Sequence, residues 1–219
     1  MYEASSTLYR PGAFPVGLCV KLPDVILLNG ASSAGKSTLT QALQAQLPFV
    51  RMGIDDFVWE RVPSSWFDAV SRFLGGPLGD APLEHASEPA KLFRAYHRTV
   101  RACVAEGLGV VVDDAIVSRE LLDDWVTALD GVDVFFVGVH CAVEELVLRW
   151  RARRDRGPAA SSVSAAKTVN RIHARAIYDL EIDTTANPSS ALAAQIIAAL
   201  ETRPSPSAFE RMRSSGTRA

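Results

Sequence analysis

Apolar residues come along this chain in two textures: short uninterrupted runs, and longer stretches in which they recur every three or four positions. The run Val25-Ile26-Leu27-Leu28, within 24–29, has no polar alternation. That is the mark of a strand covered on both faces in a parallel sheet. Beyond it Leu39, Leu43 and Leu47 stand four apart, so 36–47 is predicted helical, and Pro48 stops it. Further strands are predicted at 49–53, 110–112 (ending in Asp113 and Asp114), 132–139 and 178–183. Helices are predicted at 88–106, at 119–129 with Ser118 as N-cap, at 142–154, at 162–175, and at 189–200 with Pro188 at its start.

Strands alternating with helices define an α/β fold with a parallel sheet and right-handed crossovers. Residues 57–87 carry Trp59, Trp66 and the glycines 75, 76 and 79, and read as short helical pieces and loops. Residues 1–22 read as an N-terminal extension of a domain spanning 23–201. Residues 202–219, rich in Ser, Arg and Pro, read as a disordered tail.

Composition narrows the partners. The chain has 219 residues, 48% of them hydrophobic, and a formal net charge of −2. No global basic field exists to hold nucleic acid. No apolar run reaches the ~18 residues of a membrane span, and residues 1–15 lack the apolar core of a signal peptide. Cys19, Cys103 and Cys141, without ligand spacing, read as reduced thiols of a cytoplasmic protein. The four histidines show no ligand spacing either. His140, closing an apolar strand, reads as a partly buried, satisfied side chain.

The chemistry concentrates after the first strand. Gly30-Ala31-Ser32-Ser33-Ala34-Gly35-Lys36-Ser37 fits G-x-x-x-x-G-K-[ST] at every fixed position, between a predicted strand and a predicted helix. Such a loop curls its N–H groups around phosphate oxygens. Lys36 reaches the β- and γ-phosphates, the Ser37 hydroxyl can ligate Mg²⁺, and the helix that carries Thr38 adds its N-terminal dipole. The donor is read as ATP.

In a doubly wound sheet ligands sit beyond the carboxyl ends of the strands. Asp55 and Asp56 follow the second strand there, and Asp113 and Asp114 end the third. Asp113 is the candidate for the Mg²⁺ site with Ser37, and Asp55 for the proton acceptor of an attacking hydroxyl. The alternative for each is a helix N-cap, which suits Asp56 and Asp114 because only one of each pair needs to face inward.

Arg149, Arg153 and Arg156 share a helix face at i, i+4 and i+7. Arg153 and Arg156 read as lid arginines facing the transferring phosphate, with Gly157-Pro158 as hinge of a lid over about 150–165. Arg149 and Arg151 read as a solvated basic face paired with Glu144 and Glu145 one turn earlier. Trp59 and Trp66 suit packing or an acceptor pocket, which is expected beside Asp55 and lined by 57–100.

Six segments, I-L-L-N-G-A-S-S-A-G-K-S (26–37), G-I-D-D-F (53–57), V-V-V-D-D (110–114), F-V-G-V-H-C (136–141), A-R-R-D-R (152–156) and Y-D-L-E-I-D-T-T (178–185), together resemble the chloramphenicol phosphotransferase family. The resemblance runs from about residue 24 to 200. It implies a three-layer αβα P-loop kinase fold with a five-stranded parallel sheet and a small helical lid. It also implies ATP-dependent transfer of phosphate to a primary hydroxyl of chloramphenicol, which inactivates the antibiotic. The family's proton-accepting Asp matches Asp55 and its lid arginines match Arg153 and Arg156. By analogy of architecture, Asp183-Thr184-Thr185 stands near the adenine. The acceptor is a small hydroxylated molecule, with homo-oligomerisation left open. The competing readings are a metabolic kinase with another alcohol or acid as acceptor, and a non-catalytic nucleotide-dependent regulator. A GTPase-type switch lacks support, because neither N-K-x-D nor a D-x-x-G after the third strand occurs.

Overall fold

A computed structural model describes residues 21–59, 63–66, 70, 88–152, 162–174 and 176–216. In chain order the elements are β1 (Val25–Gly30), α1 (Lys36–Gln44), β2 (Phe49–Gly53), α2 (Ile54–Trp59), a 3₁₀ turn (Ser64–Trp66), α3 (Glu88–Ala105), β3 (Gly109–Asp114) and α4 (Arg119–Ala128). They continue with β4 (Val134–His140), α5 (Val143–Ala152), α6 (Ser162–His173), β5 (Leu180–Asp183), α7 (Ser189–Ala199), a second 3₁₀ turn (Leu200–Thr202) and α8 (Ala208–Gly216).

The five strands form one parallel sheet in the order β2-β3-β1-β4-β5. Every residue of β1 is buried, as its unbroken apolar run demands of the central strand. From β1 the chain moves outward to β2 and returns through β3 to reach β4 on the other side. Its direction therefore reverses at β1, and the crevice beyond the carboxyl end of that strand is the switch point where α/β folds bind ligands. Right-handed crossovers put α1 on one face, where α7 packs beside it, and α3 and α4 on the other. Trp125, Tyr96 and Phe93 fill the α3–α4 side, and Leu39, Leu43 and Ile196 the α1–α7 side; each is at most 1% exposed.

One boundary reading is corrected. The tail predicted to be disordered over 202–219 contains α8, held by burial. Ala208, Phe209 and Met212 lie under it, and Phe209 meets Phe136 edge-on with ring centres 5.4 Å apart. The sequence signal was a capping box. The Ser207 N–H donates to Glu210 Oε2 at 2.6 Å and the Glu210 N–H donates to Ser207 Oγ at 3.3 Å.

Candidate active site

The loop between β1 and α1 closes on itself, with the Ala34 N–H donating to Ala31 O at 3.1 Å. Two residues adopt left-handed backbone, Ser33 at φ 66° and Gly35 at φ 85°. Gly35 takes that conformation without strain; Ser33 does not. The Ser33 hydroxyl is buried without a partner, an orphaned donor inside the loop that a phosphate oxygen would satisfy. Gly30 is required for a different reason: a Cβ there would lie 2.4 Å from Val139 O on the neighbouring strand.

Lys36, 7% exposed, donates through Nζ to Gly30 O and Ala31 O, both at 2.9 Å, and stands 3.6 Å from Asp113 Oδ1. Ser37 Oγ donates to the other oxygen of Asp113 at 2.5 Å. The sheet register explains this meeting, since Asp113 pairs with Leu28 on one side and Gly53 on the other. One lysine, one hydroxyl and one carboxylate thus converge at the mouth of the loop. Two hard oxygen donors side by side suit Mg²⁺, which takes one or two protein ligands beside its substrate phosphates. Ser37 and Thr38 are exposed at the head of α1, and Ala31 and Ala34 are buried under it.

The strand's two-residue period separates the paired aspartates. Asp114 turns away from the loop and accepts the Trp125 Nε1–H and the Ala115 N–H, both at 2.6 Å. Burial pushes its carboxyl up, while His97 and these donors pull against that. It is a buried anchor, not an N-cap. Asp55 and Asp56 both lie in the first turn of α2. Asp56 pairs with Arg51 at 3.3 Å, and Asp55 is exposed. Arg153 and Arg156, together with the hinge Gly157-Pro158, lie outside the described residues. So do the Trp59 side chain and most of 60–87.

Two arrangements were not legible in the sequence. Arg149 does hold Glu145, at 2.8 Å, but its other nitrogens donate to Thr184 Oγ1 at 3.2 Å and Thr184 O at 2.7 Å. Thr184 in turn donates to Ala34 O at 2.8 Å, so the end of β5, the phosphate loop and α5 are clasped together. Thr184, within the Asp183-Thr184-Thr185 segment, is therefore in contact with the loop.

The second arrangement begins at Asn29, fully buried one residue before the loop. Its Nδ2 donates to Tyr178 Oη at 2.8 Å, and its Oδ1 accepts the Ile116 N–H at 2.9 Å. Tyr178 Oη lies 2.8 Å from His173 Nδ1, and the His173 ring stacks on His140 with centres 4.1 Å apart. His140 meets Glu181 at 2.7 Å, a satisfied histidine as read from sequence.

Burial, and then the charge of His140, hold the His173 imidazole down to about 4. The ordinary value is ~6.5, so between these limits the unfolded chain binds the proton more readily. Stability from this site is whole above ~6.5 and is lost as pH falls toward 4. Urea midpoints at pH 7 and pH 4.5 should fall further in the parent than in His173→Gln. Equal falls would show that His173 does not contribute.

The fold and the loop define a class: a P-loop kinase of the small-molecule type. The chain belongs to the chloramphenicol phosphotransferase-like protein family, whose sequence profile matches residues 23–201. A Mycobacterium tuberculosis protein provisionally named an O-phosphotransferase is 35% identical over 201 residues, 86% of this chain and 87% of its own. A gluconokinase from Sinorhizobium meliloti superposes with a TM-score of 0.57 at 18% identity, over 82% of this chain and 93% of the other. Shikimate kinase from Acinetobacter baumannii, solved with shikimate, gives 0.52 at 18% identity, over 83% and 94%. The protein is thus a phosphotransferase with a nucleotide as donor and a small molecule as acceptor. Among the described residues no helix is long and apolar enough to cross a membrane.

Proposed function

We propose that this chain moves the γ-phosphate of ATP to a hydroxyl of a small molecule, with Asp55 taking the hydroxyl proton. The observation that carries the reading is the convergence of Lys36, Ser37 and Asp113 at a loop holding an unpartnered, buried serine hydroxyl. The loop N–H groups grip the phosphates, and Lys36 stands against the charge that grows on the transferring group. Ser37 and Asp113 would hold Mg²⁺, which neutralises phosphate charge when bound. Asp55 is exposed two residues beyond the register partner of Asp113, and Asp56 pairs with Arg51. By the family likeness, Arg153 and Arg156 supply positive charge to the transferring phosphoryl group.

Chloramphenicol, or a related hydroxylated antibiotic, is the acceptor that the family likeness puts first. A hydroxy acid of the kind gluconate and shikimate kinases use is the second, favoured by Arg171 in the cavity behind the loop, which has no carboxylate partner among the described residues. Mixing protein and Mg-ATP with each acceptor in turn, and following ADP release and the mass of the acceptor, tests the reading. The expected result is ADP release that requires an acceptor and a matching gain of one phosphoryl group. Nucleotide binding without transfer to any alcohol would remove it.

A further inference from the structure

A cavity of about 410 Å³ opens between the β3–α4 loop and the last turn of α6, with Asn29 as its floor. Its volume is that of a small-molecule site. Ile116, Val117 and Ile172 give it apolar walls, each at most 5% exposed. Asn29 binds both walls, donating to Tyr178 and, at 3.4 Å, to Ile172 O, and accepting from Ile116. It does so one residue ahead of Gly30. The cavity is therefore built onto the root of the phosphate loop and onto the segment that leaves Asp113 and Asp114.

Arg171 lines this cavity. Arg51, Arg119, Arg149, Arg203 and Arg213 each hold a carboxylate. Arg171 holds none among the described residues. Among the described residues its one hydrogen bond is a long one, Nη2 to Val117 O at 3.4 Å across the cavity, and its buried Nε has no partner there. A guanidinium presents five donors in a planar fork that matches an oxyanion. A buried N–H with nothing to donate to is costly to keep. Of the nearby carboxylates, Asp123 holds Arg119, and Glu120, which also lines the cavity, is exposed and makes no ion pair with Arg171 among the described residues.

We infer that this cavity seats the acceptor, and that the acceptor carries an oxyanion, a carboxylate or a phosphate ester, held by Arg171. The inference rests on the phosphotransferase reading and gives it a substrate class. Arg171 acts in binding and selectivity; it takes no part in moving the proton or the phosphoryl group.

Two measurements test it. The first needs no acceptor. The Nε–H resonance of Arg171, assigned by its loss in Arg171→Lys, is followed while acetate replaces chloride at constant ionic strength. Inorganic phosphate is then titrated with the phosphate loop saturated by the non-hydrolysable analogue Mg-AMPPNP. A saturable shift with acetate assigns the carboxylate class, and one with phosphate alone assigns the phosphate-ester class. A response no different from chloride in both arms overturns the inference.

The second compares gluconate and shikimate with uncharged polyols and with chloramphenicol as acceptors, in the parent and in Arg171→Met. Loss of a charge-assisted bond predicts a KM for the acid raised by about 10–100-fold, with neutral acceptors unchanged. Turnover of neutral acceptors alone, equal in both proteins, overturns the substrate class and leaves the kinase reading standing. Saturation of the Arg171 signal with no ADP release from any acceptor does the reverse: the anion site stands and the phosphotransferase reading fails.

Discussion

Asp55→Asn is expected to lower kcat by about 10²–10⁴-fold, the contribution of a positioned general base, while nucleotide affinity stays where it was. The two effects separate because of where the residue sits. Asp55 occupies the first turn of α2 and is exposed, so its loss opens no cavity. Lys36, Ser37 and Asp113 hold one another and the loop carbonyls directly. Steady-state kinetics with a working acceptor, beside calorimetric titration with Mg-AMPPNP, check both halves. A kcat within about threefold of the parent would move the base elsewhere, since a bystander surface carboxylate has effects of that size. Asp56→Asn is the control, because Arg51 already engages Asp56.

Lys36→Met should be as damaging and should differ in kind. Methionine keeps the buried stem and deletes the ammonium that binds Gly30 O, Ala31 O and Asp113. Removing one preorganised donor to developing charge costs about 10²–10³-fold in rate, and here the same group also shapes the loop. Both kcat and nucleotide affinity are therefore expected to fall. Asp113, 8% exposed, also loses the cation beside it, so the thermal midpoint should drop and then recover in part when Mg²⁺ is added. Unchanged nucleotide affinity with unchanged rate would contradict the proposed role of the loop.

The central strands and the phosphate loop were legible because their signals are local. A strand buried on both faces has no alternation to misread, and the loop must be spelled within eight residues. The choice within each aspartate pair was not legible. Period two says that Asp113 and Asp114 point to opposite faces, but only Trp125, placed by α4, decides that Asp114 is the one turned into the core, away from the loop. Arg149 shows the same limit. Its bond to Glu145 follows from helical spacing, whereas its bonds to Thr184 span 35 residues and depend on β5 arriving beside β4. Arg171 carried no motif at all, since the cavity that it lines forms only when the β3–α4 loop and α6 meet. The terminal helix is the opposite case: Ser207 and Glu210 announced it, and Ser, Arg and Pro nearby obscured it.

That helix bears on how the chain can be shortened. The segment shared across the family stops at residue 201, yet Asp179 holds both the Phe136 N–H at 2.9 Å and the Ala208 N–H at 2.6 Å. One carboxylate thus joins the fourth strand, the entry to the fifth and the last helix. Trimming to the family boundary would take Phe209 off Phe136 and bare an oily face on the sheet, turning a tidy domain into a sticky one.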